Sequence, residues 1–437
     1  MRRKNAWTTY NKKQLDELEK LCKNYLKFLD KGKTERECVK QIVKQAEEKG
    51  YVNLADITKD KKALKAGDKV YSVCMDKTVA LFQIGKKKLE KGMNILGAHI
   101  DSPRMDVKQN PLYESEEFAY LDTHYYGGIK KYQWVTLPLA LHGVVVKKDG
   151  TVITVNVGED KNDPVFCVTD LLIHLAGEQM EKKANKVIEG ENLDVLVGSK
   201  PLEGKEKDAV KEGILEILKE KYDMTEEDFM SAEIEVVPAG HAREAGLDHS
   251  MVMSYGQDDR VCAYTSLAAM LEVEEVEKTT CCLLTDKEEI GSVGATGMQS
   301  RFFENSVAEL MDAMGEFSEL SLRRCLANSS MLSSDVNAAY DPLFANAFEK
   351  NNASYFGRGV VFSKFTGSRG KSGSNDANAE YIARIRKMMD KNEVCFQTAE
   401  LGKVDVGGGG TIAYILSLYG MEVIEPDTGR LACNTVG

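Results

Sequence analysis

The sequence has few of the features that mark secreted, membrane-bound or nucleic-acid-binding proteins. The basic residues Arg2, Arg3 and Lys4 are followed by no apolar run, so we expect no signal peptide, and no segment approaches the ~20 apolar residues of a membrane span. The formal net charge of -11 disfavours nucleic acid as a partner because a polyanion would be repelled. The ten cysteines contain no C-x-x-C pair, which favours reduced, buried thiols over disulfides or a cysteine zinc site. We therefore expect a cytoplasmic protein without membrane or nucleic-acid partners.

One glycine run also lacks the residues of a nucleotide-binding loop. Gly407–Gly410 precedes an apolar helical pattern, but no Gly-Lys-Ser or Gly-Lys-Thr follows it. Such a run can expose backbone N–H groups to an anion, yet a nucleotide loop also needs the lysine. We therefore expect these glycines to let the backbone approach a site closely.

The length and the pattern of the sequence predict an interrupted α/β domain. The 437 residues exceed what one core usually accommodates. Buried strand-like runs alternate with helical patterns in residues 1–105 and 250–437, whereas residues 106–249 are rich in strand and hairpin signals. We expect one α/β domain built from the first and last segments, with a β-rich insert between them.

Two local signals make this expectation specific. Thr34 and Glu37 have the spacing of a capping box and predict a helix that ends near Gly50. Two valine-rich runs, residues 144–146 and 152–157, flank Lys-Lys-Asp-Gly, which predicts a hairpin inside the insert.

Four short polar motifs follow predicted strands or begin a helix, where α/β sheets usually bind ligands. Each also has an ordinary structural explanation, such as a hydrogen-bonded histidine and aspartate at a strand end, a helix cap or a solvated acidic turn. Together they supply one imidazole and several carboxylates, a donor set that suits zinc, manganese or cobalt. Two such ions could lower the pKa of a water and polarise a carbonyl, and they would let many carboxylates converge without protonation. The motifs are Gly-Ala-His99-Ile-Asp101, Gln257-Asp258-Asp259-Arg260, Asp286-Lys-Glu288-Glu289 and Ser334-Asp335.

The spacing within two motifs suggests different roles for neighbouring residues. Asp101 lies two positions after His99 and therefore points to the same face of a strand, where it can hold the second ring nitrogen of a metal-bound histidine. Glu288 and Glu289 are adjacent after a buried strand, and their repulsion is tolerable on a wet loop or beside a cation. In a metal site, one of the two glutamates can bind the ion while the other accepts and donates protons.

The motifs and their order resemble the M18 family of metallo-aminopeptidases, the family of aspartyl aminopeptidase and vacuolar aminopeptidase I. The stretch 364–375 is similar to the bacterial aminopeptidase 1 branch, and the likeness runs from about residue 10 to 424. The resemblance implies a mixed-sheet α/β/α zinc-peptidase domain with a β-rich dimerisation insert. It also implies hydrolysis of the N-terminal residue of short peptides with two divalent ions, most often zinc, with manganese or cobalt as alternatives. Homodimers would assemble into a dodecamer.

Carried over residue by residue, the resemblance implies a ligand set. His99 and Asp335 would bind one metal and Glu289 the other. Asp258 would bridge both ions, and Asp101 would orient His99.

The resemblance also implies catalytic and substrate-binding residues. Glu288 would be the general base that takes a proton from water and returns one to the leaving amine. His174, on the insert, would stabilise the tetrahedral oxyanion, although a core histidine on an apolar segment is the ordinary alternative. Lys364 and Tyr381 would contact the substrate.

The C-terminal segment departs from the family pattern. The family's fifth ligand is a histidine on a strand after the glycine-rich helix, but no histidine occurs after His249, and residues 425–437 do not resemble the family. This predicts a truncated or altered C-terminus, a poorly occupied metal at Glu289 and reduced activity. Two other functions stay open, namely an amidohydrolase for small N-acyl substrates and an inactive shell-forming protein. The preferred N-terminal residue, acidic or neutral, also stays open.

Overall fold

The computed structural model describes residues 4–367, 369–409 and 412–430. They form two compact units, one of the residues up to Asp101 and from Gly256 onwards, the other of Ser102–Tyr255. The second unit begins four residues before and ends six residues after the expected insert of 106–249. Within the described ranges, no helix combines the length and the apolar character needed to cross a bilayer.

The first unit is built on one large mixed sheet flanked by helices. Its strand order is β1-β2-β3-β13-β4-β14-β18-β16-β17, with β15 also paired to β18. Parallel pairs join β13, β4, β14 and β18, whereas β2–β3, β3–β13 and β16–β18 are antiparallel. The strands are β1 (Val52–Asn53), β2 (Lys69–Cys74), β3 (Thr78–Gln83), β4 (Asn94–His99), β13 (Thr280–Thr285), β14 (Ser330–Ser333), β15 (Asp335–Ala338), β16 (Val360–Ser363), β17 (Phe396–Ala399) and β18 (Glu422–Arg430). The expected α/β class with a mixed sheet is confirmed.

Four helices of this unit, α1, α2, α3 and α8 of those given below, begin at a residue whose side chain caps the helix. Thr34 Oγ1 accepts the Glu37 N–H at 3.2 Å, and Glu37 Oε2 accepts the Thr34 N–H at 3.2 Å, so the predicted capping box is present. The helices are α1 (Lys12–Lys31), α2 (Glu35–Glu48), α3 (Leu54–Lys59), α6 (Gln257–Glu272), α7 (Phe302–Ala313), α8 (Glu319–Ala327), α9 (Ala379–Lys391) and α10 (Ala413–Ser417).

The second unit is dominated by an antiparallel sheet of order β8-β7-β10-β5-β6-β9. The hairpin predicted around Lys-Lys-Asp-Gly joins β7 to β8, which pair antiparallel. Its strands are β5 (Arg104–Ser115), β6 (Phe118–Tyr126), β7 (Leu139–Val146), β8 (Val152–Val157), β9 (Val195–Gly198) and β10 (Ala232–Pro238), with a separate pair β11 (Arg243–Ala245) and β12 (Met251–Met253). Its helices are α4 (Gly177–Met180) and α5 (Ala209–Tyr222).

The main core of the first unit lies against the central parallel strands. Cys281 and Leu283 of β13 and Val307 and Leu310 of α7 are fully buried there. Burial on both faces explains why β13 is almost wholly apolar. Most ionisable side chains of the predicted metal site therefore lie at the ends of these strands or just after them.

Candidate metal centre

Three neighbouring parallel strands deliver the predicted site residues to one edge of the sheet. In the pairing register, Thr285 of β13 lies beside His99 of β4, and Ser333 of β14 lies beside Gly97. Because parallel strands end at the same edge, the residues that follow β13 and β14 come close to His99. This topology explains the convergence of three motifs, and the fourth reaches His99 from the start of α6, where Asp258 Oδ1 lies 3.3 Å from His99 Nε2.

His99 is 1% exposed and surrounded by carboxylates. Its Nδ1 lies 3.1 Å from the Asp101 carbonyl oxygen and 3.2 Å from Asp101 Oδ1. Its Nε2 lies 3.3 Å from Asp258 Oδ1, 3.8 Å from Asp335 Oδ1 and 4.0 Å from Glu288 Oε2. This nitrogen is buried and makes no well-directed hydrogen bond. A buried imidazole nitrogen that faces several carboxylates is the arrangement expected of a metal ligand.

Asp101 connects His99 to the paired glutamates. The carboxylate is fully buried, and its Oδ1 accepts the backbone N–H of Glu288 at 3.1 Å. Its Oδ2 accepts the backbone N–H of Glu289 at 3.2 Å. One side chain therefore fixes both the ring of His99 and the turn that presents the two glutamates.

Among the described residues, two groups of His, Asp and Glu side chains have ligand atoms within 4.8 Å of one another. One consists of His99, Asp258 and Glu289, and the other of His99, Asp259 and Asp335. The sequence interpretation had not given Asp259 a role, although Asp259 is fully buried and both its carboxylate oxygens lack a hydrogen-bond partner. Its position next to Asp258 was the one available signal. Nitrogen and oxygen donors in these numbers fit a divalent cation.

The electrostatics of the cluster also fit a cation. Burial raises the pKa of Glu288 to about 8 and that of Glu289 to about 9, and neighbouring carboxylates add to both shifts while His99 opposes them. Burial also raises the pKa of Asp335. For His99, burial lowers the pKa, but the carboxylates of Asp101 and other neighbours outweigh it and hold the pKa well above its ordinary value. The cluster therefore retains protons that a divalent cation would replace.

A cavity of about 260 Å³ opens beside the cluster. Four expected site residues line it, namely Asp258, Glu288, Glu289 and Asp335, and Glu425 of β18 lines it as well. Gly407, Gly408 and Gly409 form part of its wall. The predicted close approach of the glycine run is therefore confirmed for these three residues, while Gly410 lies outside the described residues.

The remaining predicted residues lie elsewhere. Lys364 is exposed and precedes the cavity-lining residues Phe365 and Thr366. Tyr381 is 3% exposed, and its hydroxyl donates to the Met331 carbonyl at 3.2 Å, so the structure places it in the core and not in this cavity. His174 is exposed in the second unit.

Comparisons with known proteins agree with this geometry. A family model described as aminopeptidase I zinc metalloprotease (M18) matches residues 28–433. A probable M18 family aminopeptidase 1 from Clostridium acetobutylicum is 62% identical over 423 residues, which cover 97% of this chain and 91% of that protein. The crystal structure of an M18 family aminopeptidase from Thermotoga maritima has a TM-score of 0.94 at 45% identity and covers 100% of this chain and 95% of its own. The crystal structure of aminopeptidase I from Clostridium acetobutylicum has a TM-score of 0.90 at 59% identity. The match covers 98% of this chain and 93% of that chain.

The family match extends beyond the end expected from the sequence. It reaches residue 433, nine residues past Ile424. The end of the resemblance predicted from the sequence, at about residue 424, is therefore too early. β18 likewise continues to Arg430. Residues 431–437, the rest of the segment interpreted as altered, lie outside the described residues.

Proposed function

The chain belongs to the M18 family of zinc metallopeptidases and is a metallo-aminopeptidase, and from this premise we propose that its acidic cavity removes the N-terminal residue from short peptides. The observation that carries the proposal is His99 Nε2, which is buried and faces carboxylates at the wall of a cavity. Family membership does not favour the small-substrate amidohydrolase or the inactive shell-forming protein.

Two divalent ions, zinc before manganese or cobalt, are the proposed cofactors. His99 and Asp335 would hold one ion, Glu289 the other, and Asp258 would bridge them. The donor set supports this assignment because it combines imidazole with carboxylates and contains no thiolate. Asp259 is a further candidate ligand because its carboxylate lies within the second donor group. When bound, such ions lower the pKa of a water and polarise the scissile carbonyl.

Glu288 is the proposed proton carrier. Its side chain lines the cavity, and its backbone is held by Asp101. Its carboxylate takes a proton from the water that attacks the carbonyl carbon of the first peptide bond. After the C–N bond breaks, it gives a proton to the leaving amine nitrogen. Asp101 keeps His99 and the glutamate turn in place during both steps.

Activity on amino-acid amides tests the proposed function directly. Leucine amide and aspartate amide should both be tried because the preferred first residue is open. Removal of divalent ions with a chelator should abolish hydrolysis, and zinc, manganese or cobalt should restore it. Hydrolysis that is indifferent to the chelator, in protein shown by elemental analysis to be metal-free, would contradict the metal assignment.

Assembly through the second unit is part of the proposal. Leu172, Ile173 and Leu175 are 71%, 70% and 70% exposed around His174. Such an apolar surface is typical of a contact with another chain, and a second copy would cover it in a dimer that builds a dodecamer. His174 would then act on the oxyanion of a substrate. Light scattering tests the assembly, since a particle of 48.5 kDa would mean a monomer and contradict it.

A cytoplasmic location is also proposed. The buried cysteines Cys38, Cys262, Cys281, Cys282 and Cys325 carry free thiols. Free thiols of this kind are typical of reducing compartments. Fractionation of cells with a tagged chain would test the location.

A further inference from the structure

The cavity that holds the acidic cluster also has three cationic side chains on its wall. Arg369, Lys371 and Lys403 all line it and are exposed, and we call them the cationic rim. Lys371 has an internal partner, because its Nζ lies 3.4 Å from Asp376 Oδ2 and 3.8 Å from the centre of the Phe365 ring. Across the described ranges, Arg369 and Lys403 form no ion pair with any carboxylate. These two charges are therefore available to a ligand.

Backbone contacts hold the two segments that carry the rim. The Gly367 N–H donates to the Gly409 carbonyl at 2.7 Å, which ties the segment before Arg369 to the glycine run. The Lys403 carbonyl accepts the Gly407 N–H at 2.8 Å, and the Lys403 N–H donates to the Ala347 carbonyl at 3.1 Å. The rim charges consequently project from anchored turns.

The cavity is therefore bipolar. No ion pair joins the rim to Asp258, Glu288, Glu289 or Asp335 in the described chain, although all of them line one space. Opposite charges that share a cavity without pairing suit a ligand that carries both signs. A short peptide with a free amine and a free C-terminal carboxylate is such a ligand.

We propose that the cationic rim binds the C-terminal carboxylate of di- and tripeptides, so that this aminopeptidase selects short peptides with a free C-terminus. The inference rests on the proposed function, because the acidic end must receive the N-terminal residue. The cavity volume of about 260 Å³ lies just below the range of roughly 300–1,000 Å³ for pockets that enclose small ligands, which favours short peptides. An extended chain lengthens by about 3.5 Å per residue, so the C-terminal carboxylate moves away from the acidic cluster as the peptide grows. Arg369 and Lys403 lie on two separate segments. Two positions of positive charge can serve the C-terminal carboxylates of a dipeptide and a tripeptide, which lie at different points along the cavity.

Amidation of the substrate tests the proposal without any change to the protein. The wild-type chain should hydrolyse Leu-Leu with a kcat/KM about fivefold higher than Leu-Leu-amide, as expected for one exposed ion pair. The preference for the free acid should fall as the peptide is lengthened from two or three leucines to five. Equal rates for the acid and the amide would overturn the proposal while leaving the aminopeptidase function intact. Cleavage of neither peptide would instead refute the proposed function.

Variants then locate the charge. The double variant Arg369→Gln, Lys403→Gln should bring the acid-to-amide ratio close to one. Lys40→Gln, which removes an exposed charge from α2 away from the cavity, should leave the ratio unchanged. Circular dichroism and metal content establish that each variant is folded. A ratio unaltered in the folded double variant would overturn the assignment of the rim.

A further pair of substrates tests whether the rim binds the side-chain carboxylate of an acidic first residue instead of the C-terminal carboxylate. Aspartate amide and leucine amide both lack a C-terminal carboxylate. If aspartate amide is preferred, and the preference disappears in the double variant, the rim binds the side chain of an acidic first residue and the proposal is wrong. If the double variant leaves the relative rates of these two amides unchanged, while the Leu-Leu ratio collapses, the C-terminal assignment is supported.

Discussion

Replacement of Asp101 by asparagine tests how the two halves of the metal cluster are connected. The Asp101 carboxylate contacts His99 Nδ1 and accepts one backbone N–H each from Glu288 and Glu289. Asparagine keeps one oxygen and replaces the other with an NH₂ group, which cannot accept. At least one buried N–H then loses its partner, and a hydrogen bond to a charged acceptor contributes about 1.5–3 kcal/mol.

The same substitution also changes the charge of the cluster. The negative charge of Asp101 raises the pKa of Glu288 and of Glu289, so its removal relieves repulsion with these carboxylates, but it also weakens the contact that raises the pKa of His99. The two charge effects oppose each other, so the lost hydrogen bond should lower the melting temperature both with and without metal. Metal affinity should fall about 10- to 100-fold, the usual effect of losing a group that orients a ligand.

The assay is competition for zinc with a chromophoric chelator, combined with thermal unfolding with and without metal. Asp312→Asn is a matched control, since it removes an exposed carboxylate of α7 that forms no ion pair within the described residues. The control should bind zinc as tightly as the wild type. If Asp101→Asn also binds zinc within twofold of the wild type, Asp101 does not connect His99 to the glutamates in the way that the distances indicate.

Two further predictions concern pH and backbone packing. Because the folded-state pKa values of Glu288 and Glu289, about 8 and about 9, exceed the usual glutamate value of about 4.3, the metal-free protein should lose thermal stability as the pH rises from about 4.3 to 9. A flat melting temperature across that range in chelator would be inconsistent with the buried cluster. Gly407→Ala places a Cβ 1.9 Å from the Leu401 carbonyl oxygen, so it should displace the turn that carries Lys403 and lower kcat/KM for dipeptides; unaltered kinetics would show that the turn tolerates a side chain.

Local patterns predicted the elements that depend on neighbouring residues. The capping box of Thr34 and Glu37 and the hairpin between β7 and β8 involve short sequence distances, and both are present. The alternation of side chains along a strand was enough to bring Asp101 to the side of His99. The resemblance in motif order supplied the family and the mixed sheet.

Contacts between residues that are far apart in the sequence could not be predicted from local patterns. Asp101 bonds backbone groups 187 and 188 residues away, and no periodicity indicates that pairing. Asp259 received no role from the sequence, where only its position next to Asp258 pointed to it. The cationic rim arises from two segments that converge only in the folded chain, so the sequence interpretation named Lys364 alone.

The end of β18 illustrates a different difficulty. Pro426 and Gly429 both weaken a strand pattern, and from the sequence residues 425–437 do not resemble the family. In the structure β18 continues because Asp427 pairs in register with Asp335 and Val361. Neighbouring strands thus override the local signal.

The proton-transfer role of Glu288 is the central claim, and one variant tests it most directly. Glu288→Gln preserves the shape of the side chain but cannot accept a proton at neutral pH. We expect kcat for leucine or aspartate amide to fall about 10²- to 10⁴-fold, the usual contribution of a general base, while the metal content per chain by elemental analysis stays at the wild-type value. An unchanged kcat with full metal content would contradict the account, and loss of metal together with activity would make Glu288 a ligand instead of the proton carrier.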